Sequence, residues 1–344
     1  MTTSQPPVQT ASGTRKRTRA GFQMPNFTLP VPDDELFERL VTMATQAERS
    51  GFDTVFVMDH FYQLPVLGAV EDPMLEAYTL LGGLAARTSS IRLGTLVTGN
   101  TYRNPAHVAK IVTTLDVVSR GRALLGIGAG WFEPEHVGLG FAFPPLGQRL
   151  DHLEEALQVI VPMLRGERPT LEGRFYRVHE AINSPRPLQP DGLPILIGGS
   201  GERRTLRLVA RFANESNLTC APAEVPRKLD ALARHCDDLG RDRSQIGVSW
   251  LGSLVIGRTQ EDAENQRDAF LRRRGMEWRT LPDAVRENID RMLLCGGPDA
   301  VGERIQKELV GVGLDGVVVN LPANGHDPEA IALAGDMLRR AVGP

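Results

Sequence analysis

The chain has little cysteine. Its 344 residues include three cysteines, Cys220, Cys236 and Cys295, which are widely spaced. No CxxC pair occurs, so the spacing excludes a dense disulfide framework and does not indicate a structural zinc site. The seven histidines form no HxxxH or HxH pair, and the sequence therefore predicts no metal centre. So little cysteine is typical of a reducing compartment, and we expect a cytoplasmic protein.

Long hydrophobic runs and a strong charge imbalance are also lacking. No window approaches about 18 uninterrupted apolar residues, so no membrane-spanning helix is expected. The 39 basic and 42 acidic side chains leave a net charge of −3, which provides no overall basic surface for nucleic acid. Residues 1–18 are polar and end near a basic run at 15–17. They predict a disordered tail rather than a secretory signal, because no apolar segment follows.

Glycine, by contrast, is abundant: the chain has 35, about a tenth of its residues against a usual value of roughly 7%.

After the tail, short β-rich apolar runs alternate with amphipathic segments, and runs such as 317–319 are typical of strands buried on both faces of a parallel sheet. The predicted strands are residues 20–23, 54–58, 92–98, 123–127, 194–197, 216–220, 247–256 and 316–320. Eight strands alternating with helices predict an α/β fold, a single (β/α)8 TIM barrel over residues 19–344.

Helix signals lie between the predicted strands. Asp33 is placed to cap one helix, Asn104 precedes a proline that starts another, a third begins near Gly147, and Pro298 opens the last internal helix. The connections after the fourth and seventh strands are long, which predicts insertions that act as lids or substrate loops.

A doubly wound open sheet is the alternative fold. It would normally show a glycine-rich turn after the first strand, and residues 21–25 form no such turn.

The first candidate site lies where the second predicted strand ends, because TIM barrels place their chemistry on the loops after the strands. That strand ends in Asp59 and His60. Histidine is the side chain most easily tuned to exchange a proton near neutral pH, so His60 is a candidate acid or base. A packing histidine beside a helix-capping aspartate is the alternative.

The third strand ends in small residues, 94–100, which would let a planar ligand lie against the backbone.

Glycines cluster where the fourth predicted strand ends. Gly126, Gly128 and Gly130 occupy alternate positions and are followed by Trp131. This pattern removes side chains from one face and leaves room for a ring or a phosphate, with Trp131 as a wall; close strand–helix packing is the alternative.

The fifth predicted strand ends in a glycine-rich turn that opens a helix. The turn consists of Gly198, Gly199, Ser200 and Gly201. Backbone N–H groups at the positive end of a helix dipole favour a phosphate, and Arg203 or Arg204 would add charge-assisted contacts. A structural turn with solvated arginines is the alternative.

Four ordered segments of the chain resemble the luciferase-like monooxygenase superfamily, and specifically its coenzyme F420-dependent oxidoreductase branch. They are residues 51–61, 92–105, 119–133 and 194–201. The resemblance implies a TIM barrel that binds a flavin or 5-deazaflavin at the carboxyl ends of its strands. It implies that Asp59 and His60 lie near the redox ring. The implied cofactor-binding residues are Leu96, Val97, Thr98, Gly128, Gly130, Trp131, Gly198, Gly199, Ser200, Gly201 and Arg203, with a non-prolyl cis peptide often found at Leu96–Val97.

Two departures from the family pattern leave the substrate open. Asn214 stands where an acidic residue usually follows the helix after strand five, and Trp131 stands where some sugar-phosphate dehydrogenases carry a glutamate. The leading hypothesis is hydride transfer between coenzyme F420 and a small organic substrate. In it, His60 exchanges the proton and Asp59 orients His60 or contacts the ring. The alternatives are an FMN-dependent monooxygenase that uses oxygen and a non-catalytic flavin-binding protein. We expect no nucleic acid or membrane partner, and a homodimer is left open.

Overall fold

The computed structural model describes residues 17–343. Most of the predicted tail, residues 1–16, lies outside this range. The strands are β1 (Ala20–Met24), β2 (Thr54–Val57), β3 (Arg92–Thr95), β4 (Thr98–Gly99), β5 (Leu125–Gly128), β6 (Leu171–Glu172), β7 (Arg177–Val178), β8 (Ile195–Gly198), β9 (Glu215–Leu218), β10 (Gly247–Ile256), β11 (Leu293–Gly296) and β12 (Gly316–Asn320). The helices are α1 (Asp33–Arg49), α2 (Ala77–Arg87), α3 (Pro105–Val118), α4 (Glu133–Leu139), α5 (Leu146–Leu164), α6 (Thr205–Phe212), α7 (Val225–Asp238), α8 (Gln260–Arg272), α9 (Asp283–Met292), α10 (Pro298–Glu308) and α11 (Pro328–Val342).

The main sheet is a nearly closed parallel barrel. Its hydrogen-bonded order is β3-β2-β1-β12-β10-β9-β8-β5-β4, and every neighbouring pair along this path is parallel. β3 and β4 are two pieces of the single strand predicted at 92–98. A parallel bridge between Leu93 and Ala123 brings the two ends of the sheet together. The predicted TIM barrel is therefore confirmed, and the open doubly wound sheet is excluded.

Alternate residues of each strand face opposite layers of the core, because side chains on a strand point to opposite faces. Phe56, Leu124, Leu196 and Val318 are fully buried and pack together as a small cluster. Their strand neighbours, such as Val317 and Val319, pack instead in the large core that includes the helices. The continuous apolar run predicted at 317–319 is therefore buried on both faces, as expected.

Three of the predicted helix starts are confirmed, and one capping assignment is wrong. The Asn104 side chain accepts a hydrogen bond from the Ala106 amide and Pro105 is the first helical residue of α3; α5 and α10 begin at Leu146 and Pro298. Asp33 does not cap α1, since the helix begins at Asp33 itself. Its carboxylate lies in the first helical turn, where negative charge is favoured by the helix dipole.

The two long connections contain secondary structure of their own. Between β5 and β8 lie α4, α5 and an antiparallel hairpin in which Leu171 pairs with Val178. Between β10 and β12 lie α8, α9 and α10, together with a strand that the sequence did not predict, β11. β11 pairs in parallel with the carboxyl half of β10, with Leu293 opposite Ser253. β11 was missed because its run of four residues, 293–296, has no clear alternation and directly follows a helix.

The amino-terminal end of the barrel is held by a buried ion pair. Arg92 begins β3 and Glu215 begins β9, and their side chains meet at 2.6 Å with almost no exposure. The Thr18 amide donates to the same carboxylate at 2.9 Å. Burial raises the pKa of Glu215, but the charge and hydrogen bond of Arg92 outweigh burial and hold the pKa below its ordinary value. This stabilising ion pair therefore lies at the end of the barrel opposite to the loops that follow the carboxyl ends of the strands.

Candidate cofactor and active site

A cavity of about 580 Å³ lies at the carboxyl ends of the barrel strands. This volume is in the range of small-molecule and cofactor sites. Most of the predicted site residues line it: Asp59, His60, Leu96, Val97, Thr98, Gly128, Gly130, Trp131, Gly198 and Gly199. Ser200, Gly201 and Arg203 are not among the lining residues. The structure thus brings together the ends of β2, β4, β5 and β8, as the barrel topology requires.

His60 forms its closest polar contact with a residue that the sequence did not single out. Its Nδ1 lies 2.7 Å from Oε1 of Glu135, which is fully buried in α4. The Phe61 amide donates to the other carboxylate oxygen at 2.8 Å, and the Tyr102 hydroxyl also donates to Glu135. Burial raises the pKa of Glu135, but the hydrogen bonds from His60 and Tyr102 outweigh burial and leave it below its ordinary value. Glu135 is therefore the anionic partner of His60.

Asp59 has a different partner from the one expected. Its carboxylate receives two hydrogen bonds from Arg103, at 2.7 and 2.9 Å, and one from the Gly99 amide at 3.1 Å. Arg103 also binds Glu76 at 2.7 Å. Burial raises the pKa of Asp59 above its ordinary value, although Arg103 and the Gly99 amide act in the opposite direction. In the described residues, the carboxylate that orients His60 is thus Glu135. Asp59 instead links the end of β2 to Gly99 and to Arg103 in the loop after β4.

Aromatic rings enclose the imidazole of His60. Trp131 and Phe132 both approach it edge to face, with centroid distances of 5.6 and 5.8 Å. Phe132 is buried, whereas Trp131 is 62% exposed and lines the cavity. Trp131 is consequently a wall beside His60, as its position after the glycines predicted.

The side chain of Val97 occupies the space that a side chain would need at two of the clustered glycines. The peptide bond between Leu96 and Val97 is cis, as the resemblance implied. A Cβ added at Gly128 would lie 2.8 Å from Val97 Cγ2, and one added at Gly198 would lie 2.8 Å from Val97 Cγ1. These glycines therefore make room for the Val97 side chain, which lines the cavity, and not directly for a ligand. At Gly126 a Cβ would meet the Thr95 carbonyl oxygen at 1.9 Å, so that glycine permits close strand approach.

Three polar side chains in the cavity wall are joined by hydrogen bonds. Gln23 donates from Nε2 to the Leu96 carbonyl at 3.0 Å and accepts from Asn320 at 3.1 Å. Asn320 in turn accepts from the Ser253 hydroxyl at 2.8 Å. All three side chains line the cavity. Sequence reasoning missed them, because a lone amide inside an apolar strand gives no indication that it faces a site.

The glycine-rich turn after β8 is only partly turned toward the cavity. Gly198 and Gly199 line it, together with Thr205 at the start of α6. Ser200 accepts a hydrogen bond from the Thr219 amide at 2.9 Å, so its hydroxyl joins two loops. Arg203 is exposed, and Arg204 is engaged by Asp151 and the Gly147 carbonyl. The predicted phosphate contacts of Ser200, Gly201 and Arg203 stay predictions.

Asn214, the departure noted from the sequence, has a structural role. Its side-chain oxygen accepts from the Ile195 amide at 3.0 Å, and its own amide donates to the Ile195 carbonyl at 2.8 Å. The residue therefore pairs β8 with the segment leading into β9.

The family model for luciferase-like monooxygenases matches residues 18–316. The chain belongs to the luciferase-like monooxygenase family. It is 30% identical over 325 residues to an F420-dependent glucose-6-phosphate dehydrogenase of Nakamurella multipartita, covering 87% of this chain and 91% of that protein. A protein of the same name from Kineococcus radiotolerans is 38% identical over 164 residues, 47% of this chain and 48% of the relative. This match spans about half of that relative's length.

The fold of this luciferase-like protein is shared with solved structures. The coenzyme F420-dependent tetrahydromethanopterin reductase of Methanopyrus kandleri superposes with a TM-score of 0.75 at 20% identity, covering 93% of this chain and 98% of that one. At this identity the likeness shows the fold alone. Within residues 17–343, no helix has the length and hydropathy needed to cross a bilayer, and no three His, Cys, Asp or Glu side chains are grouped as metal ligands.

Proposed function

We propose that this protein is a coenzyme F420-dependent oxidoreductase that transfers a hydride between the cofactor and a small organic substrate. The observation that carries the proposal is the pair of His60 and Glu135 at 2.7 Å beside a cavity at the carboxyl ends of the barrel strands. The relatives named F420-dependent glucose-6-phosphate dehydrogenase support the choice of cofactor.

The cavity fits a deazaflavin in its shape and chemistry. Leu96, Val97 and Leu251 supply apolar wall surface, and the backbone at Gly199 lies in the same wall. Hydroxyl and amide groups lie in the same wall, on Thr205, Thr219 and Asn217. A ring that is apolar on its faces and polar at its edges requires this combination. Val97 would pack against the ring, and the residues near α6 would hold the phosphate end.

When bound, the deazaflavin supplies hydride chemistry, accepting or giving two electrons together. The protein handles the accompanying proton. Because Nδ1 of His60 faces Glu135, Nε2 is the nitrogen left to exchange a proton with the substrate oxygen. Glu135 orients the imidazole ring through the contact with Nδ1. Trp131 and Phe132 restrict water around the imidazole, which strengthens this electrostatic interaction.

Asp59 acts in this proposal as a positioning residue. Its two oxygens already accept hydrogen bonds from Arg103 and the Gly99 amide, which fixes the carboxylate in place. It thereby holds the loop after β4, which follows the Val97 wall of the cavity.

The proposal is tested with the purified protein and its isolated cofactors. Anaerobic titration with F420 and with FMN, followed by absorbance, is expected to give tight, saturable binding of F420. His60→Ala should retain F420 binding and lose about 10²–10⁴-fold in turnover, the usual contribution of a general acid or base. His107→Ala is the matched control, since His107 is an exposed histidine on α3.

Three results would contradict the proposal. Turnover unchanged in His60→Ala would remove the proton-transfer role. Product formation that requires oxygen and FMN would replace hydride transfer with a monooxygenase reaction. Tight F420 binding without turnover over a broad substrate panel would indicate a binding protein. The cytoplasmic location stays a prediction, and the homodimer is still open, to be decided by the mass of the protein in solution.

A further inference from the structure

In the described part of the chain, no lysine or arginine side chain lines the cavity. Among the described residues that line it, the ionisable side chains are Asp59, His60 and Tyr102; none is lysine or arginine. Asp59 is neutralised by Arg103, and the Tyr102 hydroxyl donates to Glu135. A substrate phosphate in this cavity would therefore find no positive side chain apart from the protonated form of His60.

Two arginines near the site, Arg103 and Arg274, make their contacts outside the cavity. Arg103 binds Asp59 and Glu76. Arg274 donates to the Leu67 carbonyl and stacks on Phe270, with its guanidinium carbon 3.7 Å from the ring centroid. None of these guanidinium groups lines the cavity.

Arg149 requires separate attention because two of its buried nitrogens lack a hydrogen-bond partner. Its guanidinium carbon lies 3.8 Å from the centroid of Phe143. The flanking α5 residues Leu146 and Leu150 line the cavity, but Arg149 does not. Burying a phosphate without paired cations is costly, so the His60 end of the cavity, away from α6, disfavours a phosphorylated substrate.

The mouth of the cavity is apolar. Val66, Trp131 and Leu146 line it and are 72%, 62% and 56% exposed. Leu64 and Leu67, from the same loop as Val66, extend this surface inward. Several exposed apolar side chains around one concavity are typical of a site that binds an apolar ligand.

We propose that the substrate is an uncharged, predominantly hydrophobic secondary alcohol or the corresponding ketone, and not a sugar phosphate. This inference rests on the proposed F420-dependent function. Oxidation of the alcohol breaks its carbinol C–H bond, with the hydride going to the oxidised deazaflavin. It also breaks the O–H bond, with the proton going to Nε2 of His60, and the ketone forms. Reduction of the ketone is the reverse reaction.

Ligand binding can be measured without turnover. A series of 2-alkanones is titrated against the protein, with quenching of tryptophan fluorescence as the signal and Trp131→Phe to identify its source. Each added methylene should tighten binding about three- to fourfold until the chain leaves the cavity, because a buried methylene contributes a nearly constant free energy. Glucose 6-phosphate should bind at least about 100-fold more weakly than the best ketone. A flat ketone series, or tighter binding of glucose 6-phosphate, would overturn the inference.

A positive charge introduced at the mouth of the cavity tests the proposed hydrophobic substrate class in the enzyme with F420 bound. Leu146→Lys should lower kcat/KM for the preferred ketone by about tenfold or more, since it puts an ammonium group on the apolar rim. Val137→Lys is the matched control, because Val137 is 70% exposed on α4 and does not line the cavity. Equal effects of the two substitutions would contradict the inference.

Failure of the two proposals can be told apart. If F420 does not bind, the proposed function fails, and the alkanone titration still decides the character of the cavity. If F420 binds and glucose 6-phosphate is the preferred substrate, the F420-dependent function stands and the hydrophobic substrate class is wrong.

Discussion

Glu135 illustrates how single residues acquire a role in this protein. It lies four positions after Trp131, buried at the start of a short helix, and its carboxylate contacts His60, Phe61 and Tyr102. Burying an ionised carboxylate without hydrogen-bond partners would destabilise a fold, because the charge loses its hydration. Here three donors compensate that cost, and one of them is the proposed proton carrier.

Removing the charge of Glu135 should separate proton transfer from cofactor binding. Glu135→Gln is expected to lower kcat by about tenfold to a hundredfold, within the range of acid–base effects, and to leave the F420 dissociation constant nearly unchanged. Because glutamine keeps a hydrogen-bonding group beside Nδ1 of His60, the loss of kcat reports the missing negative charge. Glu133→Gln, an exposed residue on the same helix, is the control. An unchanged kcat in Glu135→Gln would leave Glu135 with a structural role alone.

The contact between Gly128 and Val97 provides a second residue-level prediction. Gly128→Ala should destabilise the protein by about 1–3 kcal/mol and weaken F420 binding, because a stiff β-branched side chain lies 2.8 Å from the new Cβ. Thermal unfolding and cofactor titration measure the two effects. Combining it with Val97→Ala should restore much of the stability. If the double variant is no better than the single one, the clash with Val97 is not the cause.

At the scale of elements, the helices are tied to strands by side chains that the hydrophobic pattern does not reveal. Glu48, near the end of α1, accepts hydrogen bonds from the Ser89 and Ile91 amides at 2.9 Å each, and from the Ser90 amide. These residues form the turn that leads into β3. Burial raises the pKa of Glu48, but the amide hydrogen bonds outweigh burial and lower it to about 2.

Acid unfolding should report this contact. Since the pKa of Glu48 is lower in the folded chain, its contribution is complete above the ordinary value of 4.5 and is lost as the pH falls toward about 2. Glu48→Gln should therefore lower stability by on the order of 1 kcal/mol near neutral pH, after allowing for solvent screening. The difference from the wild type should shrink below about pH 4, measured by urea unfolding at several pH values. A pH-independent difference would point to packing instead.

For the whole molecule, stability and function lie at opposite ends of the barrel. The Arg92–Glu215 pair sits at the amino-terminal end, and the cavity lies at the carboxyl ends. This division follows from parallel strands, whose carboxyl ends and loops all gather at one face.

Breaking the buried pair should affect folding and not chemistry. Glu215→Ala is expected to cost about 3–5 kcal/mol, because Arg92 is left as an uncompensated buried charge. Activity per folded molecule and F420 affinity should be unchanged. Glu38→Ala, which breaks an exposed ion pair with Arg87, should have a much smaller effect on stability, because solvent screens that pair. Loss of F420 affinity in folded Glu215→Ala would show that the two ends are coupled.

The sequence by itself determined the barrel, the strand ends that form the site, and the positions of His60, Val97 and the glycines. Those features are local: buried strands are continuous apolar runs, and topology places their ends together. Only the tertiary structure decided that Glu135 partners His60, that Asp59 belongs to Arg103, and that two glycines accommodate Val97. The physical reason is that such contacts join residues from different strands and loops, so their geometry depends on how the packed elements meet and leaves no periodic signal in the chain.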